Sequence, residues 1–228
     1  MADFALAWDQ AGERLFETGI DRGVLYVASG ATYPKGVAWN GLTGVTETPE
    51  GAEANDKYAD NIKYISIYSA ETFKGTIKAY TYPDEWSLCN GEATANGVVV
   101  GQQSRKGFGL SYRTLVGNDV DGNDHGYKIH LVYGCHAGVA DREYQTVNDS
   151  PDAIEFSWEF DTTPVVLSTK VDGVTLKPTS VLTIDSTKVD STKLGLLEQA
   201  LYGTAASGQD PAVDGYLPLP DAVIGMFA

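Results

Sequence analysis

Three strand-like segments determine the architecture expected of this chain: FGLSYR at 108–113, YKIHLVYG at 127–134 and IEFSWEFD at 154–161. Apolar and polar side chains alternate in each, and a β-strand points successive side chains to opposite faces of its sheet. Each segment therefore has one apolar face to bury and one mostly polar face for solvent. The third is the clearest, because its acids, Glu155, Glu159 and Asp161, all lie opposite its large apolar residues. The sequence predicts a sheet with a water-facing acidic surface.

Length and composition favour a single, mainly β domain over residues 1–228. β-Sandwiches reach this length undivided, and 25 glycines with 13 tyrosines suit a turn-rich β protein. The chain has 16 Lys and Arg against 31 Asp and Glu, which gives a formal charge of −15. Because affinity for nucleic acid comes from cationic side chains that neutralise phosphates, this charge opposes adhesion to DNA. DNA that passes without sticking is compatible with it.

Cysteine usage and the chain start point to the cytosol. Cys89 and Cys135 are the only cysteines, and their spacing is typical of buried thiols in a reducing compartment rather than of a disulfide framework. Residues 1–10 lack the basic and apolar regions of a signal peptide. No apolar run approaches the ~20 residues of a membrane span. We therefore expect assembly in the cytosol and no membrane binding by this chain.

The remaining elements are expected from periodicity and turn residues. Before the central block, the sequence predicts a strand at 23–28, a projecting loop or hairpin at 30–61 with one strand at 37–45, and a β pair formed by 62–69 with 72–82. After it, the sequence predicts a strand at 165–171 that ends in an Asp172-Gly173 turn. A helix follows at Thr192–Tyr202, capped by Asp190 or Ser191. Residues 204–228 are expected to form a C-terminal arm with one terminal helical turn.

The residues give no support for catalysis or metal binding. An EF-hand loop that began at Asp119 would need glycine and glutamate where Asp124 and His130 stand, so a hairpin turn is the favoured interpretation. His125, His130, His136 and Cys135 are close in sequence but lack a zinc or nucleophile motif. Glu155 and Glu159 lie ~13 Å apart along one strand, too far for a retaining glycosidase pair. We expect no enzyme activity, no metal and no cofactor.

Several blocks of the sequence, in order, resemble the major tail protein, or tail tube protein, of long-tailed bacteriophages with non-contractile tails. The resemblance covers nearly the whole chain and is weaker over residues 1–30. The blocks that carry it are KGVAWNGLT at 35–43, YADNIKY at 58–64, TIKAYTYPDEW at 76–86, GFGLSYRTLVGND at 107–119, GYKIHLVYG at 126–134, TVNDSPDAIEFSWEFDTTPV at 146–165 and LPLPDAVIGMF at 217–227.

The resemblance implies an antiparallel β-sandwich or partial barrel with one or two short helices. In that family six copies form a ring, each copy adds strands to a continuous inner β-barrel, and the rings stack into a hollow tube. It also implies the partners: other copies of this chain, a tape-measure protein, tail terminator and baseplate or tail-tip proteins, and double-stranded DNA in transit without specific binding. The expected location is the virion tail, assembled in the host cytoplasm. The family has no catalytic residues.

Two sets of residues follow as expectations for such a tube. Glu155, Glu159 and Asp161 are candidates for an acidic lumen wall, since carboxylates within a Debye length of ~10 Å repel DNA phosphates. The alternative is that another strand lines the bore, and the basic face with Lys74 and Lys78 is the competitor, better suited to an outer or inter-ring position. The candidate contacts between copies are Trp39, Asn40, Leu42, Tyr58, Leu217, Leu219 and Phe227.

Two other functions stay open at this point. The first is a tail terminator or baseplate-hub component with a related fold, which would cap a tube rather than polymerise. The second is a carbohydrate-binding β-sandwich, which would need aromatic side chains exposed together on one sheet face. Phe156, Trp158 and Phe160 alternate with carboxylates and are expected to be buried, which disfavours the second.

Overall fold

The computed structural model describes residues 6–144, 146, 153–171, 173–208 and 210–228. It is mainly β with short helices, as the sequence predicted. Its strands are β1 Phe16–Val27, β2 Gly36–Ala38, β3 Leu42–Glu50, β4 Ala54–Ala59, β5 Ile62–Tyr68, β6 Thr72–Ala79, β7 Ala93–Ala95, β8 Val98–Val100, β9 Phe108–Asn118, β10 Gly122–Ala137, β11 Phe156–Thr162, β12 Lys170–Val171, β13 Val174–Thr175 and β14 Val181–Asp185. Its helices are α1 Trp86–Cys89, α2 Ser191–Tyr202 and α3 Pro220–Phe227.

One antiparallel sheet supplies both layers of the domain. Its strand order is β2-β1-β9-β10-β11-β6-β3, and β14 pairs with β10 off this path. The first layer consists of β2, β1, β9, β10 and β14, and the second of β11, β6 and β3. Strand β10 belongs to both, because residues 128–132 pair with β14 whereas residues 135–137 pair with β11. Among the described strands, the ladder is not closed into a barrel.

Gly134 is the point at which β10 passes from one layer to the other. Its φ is 64°, and the β9–β10 register is interrupted between Val132 and Cys135. The Gly134 carbonyl accepts a 2.9 Å hydrogen bond from Thr163 N, and a Cβ atom at this position would overlap the carbonyl oxygen of Thr163. Glycine is therefore required both for the left-handed backbone and for the close approach of the next strand segment.

The second layer crosses over the first at a steep angle. Leu42, at the start of β3, packs close to Gly23 of β1. Five positions later, Glu47 accepts a hydrogen bond from Tyr112 of β9 and lies 3.5 Å from Nδ1 of His130 in β10. Strand β3 therefore traverses β1, β9 and β10 instead of following one of them, as in orthogonal sheet packing.

The space between the layers holds the first of two hydrophobic cores. Trp39 packs against Trp86 and Trp158, with ring centroids 4.8 and 5.8 Å apart. The cluster is completed from both layers by Leu25, Ile77, Ala79, Cys89, Phe108, Leu110, Tyr112, Val132, Cys135, Ala137 and Phe160. Burying these apolar side chains, contributed by β1, β6, β9, β10, β11, α1 and Trp39, is what holds the folded sheet closed on itself.

A second core lies on the opposite face of the first layer, under α2 and α3. It contains Val24, Tyr26, Tyr33, Ile129, Leu131, Tyr133, Ile184, Leu194, Leu197, Leu201, Leu217 and Val223. Both faces of β9 and β10 are thus covered, so the predicted water-facing sides of these two strands are wrong. Ser111 is fully buried, where its hydroxyl bonds Tyr26 OH at 3.2 Å, and His130 is only 9% exposed.

The helices follow the expected start and stop signals. Helix α2 begins at Ser191, and the Asp190 side chain accepts from the backbone of Thr192 and Lys193 at 3.0 Å, which confirms the predicted cap. The C-terminal segment is not a free arm. Leu217 and Val223 are buried in the second core, and the Tyr133 hydroxyl donates to the carbonyl of Pro218 at 3.0 Å.

Several predicted strands differ in place or in partner. Segments 62–69 and 72–82 do not pair with each other, since β5 pairs with β4 and β6 pairs with β3 and β11. Much of the expected loop at 30–61 is sheet, because β2 and β3 pair with β1 and β6. Strand β1 begins at Phe16 rather than at residue 23, and residues 165–171 give only a bridge at Val165 and the short β12. Asp172 of the predicted turn lies outside the described residues.

Replacing Gly134 by alanine is expected to destabilise the fold more than an equivalent change elsewhere. We expect Gly134→Ala to lower the free energy of unfolding by more than about 3 kcal/mol, since a left-handed backbone and an overlap with Thr163 both oppose a Cβ atom. Gly122→Ala is the matched control, with a φ of 61° and open space around its Cβ position. It should cost about 1–2 kcal/mol. Urea denaturation of both variants tests this, and equal losses would contradict it.

A polar cluster fastens β3 to the first layer at the open side of the sandwich. His130 stacks on Tyr112 with ring centroids 4.8 Å apart and lies between Glu47 and Glu17, whose nearest oxygen is 3.6 Å away. Lys128 Nζ donates to the same Glu17 at 2.5 Å. The His130 imidazole, 3.5 Å away, and the hydrogen bond from Tyr112 lower the pKa of Glu47 below its ordinary value despite partial desolvation. The ionised Glu47 is therefore the form that the folded protein favours.

This lowered pKa gives the stability of the fold a defined pH dependence. A carboxylate whose pKa is depressed by folding contributes stability above its unfolded pKa, and the contribution is lost as pH falls through the folded value. Wild type should therefore exceed Glu47→Gln in free energy of unfolding near neutral pH, and the difference should shrink towards about pH 3. The exposed Glu53→Gln is the control. A difference between wild type and Glu47→Gln that is constant across this range would contradict the role of the ionised group.

Candidate assembly surface

The outer face of the second layer is an ordered polar surface. Successive side chains of β3, β6 and β11 point to opposite sides of the second layer. Trp158 and Ile77 therefore point into the core, while their neighbours in sequence point out. Glu159 lies opposite Thr76, and Asp161 lies opposite Lys74. We call this surface the outer face, and its members are Thr46, Thr48, Glu50, Lys74, Thr76, Lys78, Ser157, Glu159 and Asp161.

Acidic and basic side chains share this face, which corrects the expectation of two competing surfaces. Lys74 Nζ lies 2.7 Å from Glu50 Oε2 and next to Asp161 across the strand pair. Glu50, and after it Asp161 and Glu159, raise the pKa of the Lys74 ammonium above its ordinary value. These residues line a shallow groove of about 530 Å³ that also includes Thr48 and Thr76. A mixed, internally paired polar surface is the result.

The predicted lumen residues lie together at this surface. Glu159 and Asp161 are exposed on β11, two positions apart and on the same side. Glu155 is exposed just before the strand, where its Oε1 accepts a 2.6 Å hydrogen bond from the Thr43 hydroxyl. Within the outer face, Glu50, Glu159 and Asp161 are three carboxylates against the two ammonium groups of Lys74 and Lys78, and Glu155 stands just before β11. The surface has an acidic excess but is not a uniform acidic wall.

Strand β3 leaves one edge of the outer face without a partner in the described chain. It spans nine residues, pairs with β6 and ends the strand order of the sheet. Pro49, which has no backbone N–H, is tolerated there because the strand is an edge. From Leu42 to Thr48 the backbone can still donate and accept on its outer side. An unpaired edge of this length is a template for another strand.

A two-stranded hairpin extends from the end of β3 and the start of β6. Strands β4 and β5 pair with each other across the Asp60-Asn61 turn, where φ is 51° and 63° as in a type I′ turn. Nearly all its residues are exposed, and its large apolar side chains are Tyr58, Ile62, Tyr64, Ile65, Ile67 and Tyr68. An isolated two-stranded hairpin is marginally stable in water, so an apolar hairpin of this kind is typical of an interaction site.

The predicted contact residues divide into buried and accessible ones. Trp39 is 3% exposed, with its Nε1 donating to Thr81 O at 3.0 Å, and Leu217 is 2% exposed in the second core. These two stabilise the fold of the chain itself and offer no accessible surface, so they are removed from the set. Leu42 and Phe227 are half-buried. The accessible members are Asn40, Tyr58 and Leu219.

Groups with reactive chemistry are dispersed in the described structure. The turn at 119–124 is held by Asn118, whose Oδ1 accepts from Val120 N at 3.0 Å and from Asp121 N at 2.5 Å. Across the described ranges, no three His, Cys, Asp or Glu side chains converge to hold a metal ion. Cys89 and Cys135 are buried free thiols, as predicted, and burial raises the pKa of both. Thiolate chemistry is therefore disfavoured at these positions.

The sequence predicted a projecting loop or hairpin at 30–61, which contains β4 and the Asp60-Asn61 turn, but it did not predict that β4 pairs with β5. The position of the lysines on the outer face was also not predicted. The Asp60-Asn61 pair between two short strands was a usable hairpin signal, since both residues tolerate positive φ. The position of Lys74 and Lys78 beside Glu159 and Asp161 had no sequence signal, because it depends on which strands pair. The aromatic side chains of β11 do not form an exposed platform, since Trp158 and Phe160 are buried.

Within the described residues, no helix combines the length and the apolar character needed to cross a membrane. No protein-family model matches this chain, and its comparison with curated proteins finds no significant match.

Proposed function

We propose that this chain is the structural subunit of a phage tail tube, which assembles as stacked rings around a conduit for DNA. The observation that carries the proposal is the unpaired edge of β3 beside the polar outer face. The sequence resemblance to tail tube proteins supports the same function. The alternatives of a tail terminator and of a carbohydrate-binding module have no particular structural feature in their favour.

The free edge of β3 provides a way to join copies. If β3 of one copy pairs with an edge strand of the next, the sheets of neighbouring copies join into one continuous ladder. A contact between two different surfaces closes into a ring when its rotation divides a full turn. Closing the ring removes the exposed edges that otherwise promote aggregation. Strand β3 is then an internal strand of the assembled barrel.

The outer face suits the wall of a conduit. In the proposed ring, the second layers face the axis, the cores of the subunits lie outside them, and the outer face lines the bore. Its threonines, the Lys74–Glu50 pair, Lys78 and the remaining carboxylates are hydrated and carry no net positive charge. Double-stranded DNA bears one charge per ~1.7 Å of axis, so it gains little by binding such a wall. The face permits passage instead of adhesion.

The tube can be observed directly. Negative-stain electron microscopy of purified protein, first dilute and then concentrated, is expected to show rings and hollow tubes whose number rises with concentration. Caps or rings that never stack would favour the tail terminator instead. Monodisperse small particles at every concentration, even with the tail-tip initiator complex added, would contradict a tube subunit.

The lumen assignment predicts the effect of reversing charge on the outer face. Glu159→Lys with Asp161→Lys should convert a non-adhesive wall into one that retains double-stranded DNA, with strong dependence on salt. Asp84→Lys with Asp210→Lys, at two exposed positions away from this face, is the matched control. Electrophoretic mobility of DNA mixed with assembled tubes measures retention. If both double variants retain DNA equally, the outer face does not line the bore.

A further inference from the structure

We infer that the tip of the β4–β5 hairpin of one copy docks in the groove between β2 and α1 of the neighbouring copy in the ring. This inference rests on the proposed function, since it names the lateral contact of the same assembly. The partner is a second copy of this chain.

The hairpin leaves its own subunit on the β10 side. Glu47 of β3 already reaches His130 of β10, and the strand runs three residues further to Glu50. At ~3.3 Å per residue, the base of the hairpin lies beyond β10. The strand order of the first layer places β2 at its opposite side. A ring contact joins two different sides of a subunit, and the hairpin and the β2 edge are on opposite ones.

The receiving groove has a volume of about 580 Å³ and lies between the β2 edge, α1 and the segment that precedes β9. Its apolar floor includes Val27, Val37 and Leu88. Its charged groups are Lys35, Lys106 and Glu85, so two ammonium groups face one carboxylate. Lys35 also lies 4.0 Å from Asp214, a pair that is largely exposed and therefore weak.

The hairpin tip complements this groove in charge and polarity. Asp60 stands at the turn, between Tyr58 and Ile62, which are 70% and 65% exposed. A carboxylate between two apolar side chains matches two lysines around an apolar floor. The other hairpin acid, Asp56, is already paired with Lys63 at 2.8 Å, and Lys57 lies three residues before the turn, so Asp60 is the charge at the turn itself. Docking would also cover apolar side chains that the monomer leaves in water.

Site-specific cross-linking tests this contact. Ala59→Cys places a thiol at the exposed tip, Ser29→Cys places one at the groove, and Ala205→Cys places one on an exposed loop as the control acceptor. The native cysteines are buried, and unmodified wild type controls for them. Under mild oxidation each pair of thiols loses two protons and two electrons to the added oxidant and forms one disulfide. Mixing tip and groove variants should give a cross-linked dimer that the tip and loop variants do not give.

Reversing the charges at the tip and then at the groove tests whether the contact depends on their attraction. Asp60→Lys in the tip variant should remove most of the cross-linked product, and Lys35→Glu with Lys106→Glu in the groove variant should restore it. Electron microscopy of the same samples separates the two claims. Rings without tip–groove product, or with equal product at the control loop, would overturn this contact and leave the tube. Product without any rings would support the contact and overturn the tube, whereas neither product nor rings would overturn both.

Discussion

The whole architecture depends on one strand being shared by two layers. Strand β10 pairs with β9 and β14 along its first part and with β11 after Gly134, so the sheet turns over itself without breaking its hydrogen-bonded ladder. The turn requires a left-handed residue that Thr163 can approach closely, and only glycine satisfies both conditions at low cost. The interlayer core, the crossing of β3 and the exposure of the outer face all follow from it.

The bend also explains why this sheet presents one polar face and not two. The first layer is covered on one side by the second layer and on the other by α2 and α3, so its polar residues must find partners inside the protein. Ser111 bonds to Tyr26, and His130 stacks on Tyr112 between two carboxylates. Only the second layer has a side without cover in the described chain. The first layer is covered on both sides, so the outer face of the second layer is the surface available for a conduit wall.

Two-residue periodicity predicted β11 and its faces correctly, because there one side is core and the other is solvent: Trp158 is buried and Glu159 exposed. The same reasoning failed for β9 and β10, since alternation reports the polarity of side chains and not what covers them. Two-residue periodicity also did not predict which strands pair. Segment 62–69 is adjacent to β6 in sequence but pairs with β4 through the Asp60-Asn61 turn. Local capping chemistry, by contrast, located α2 to within one residue.

The candidate site required long-range register. Glu159, Asp161, Lys74 and Lys78 share a surface only because β11 pairs with β6, and no local signal specifies that pairing.

The proposed ring depends on the outer edge of β3 pairing with another copy. Hydrogen–deuterium exchange in dilute and assembled protein tests it most directly. Amides of Leu42–Thr48 should exchange more slowly after assembly, while those of the buried β9 stay unchanged. Equal exchange of Leu42–Thr48 in both states would contradict the account.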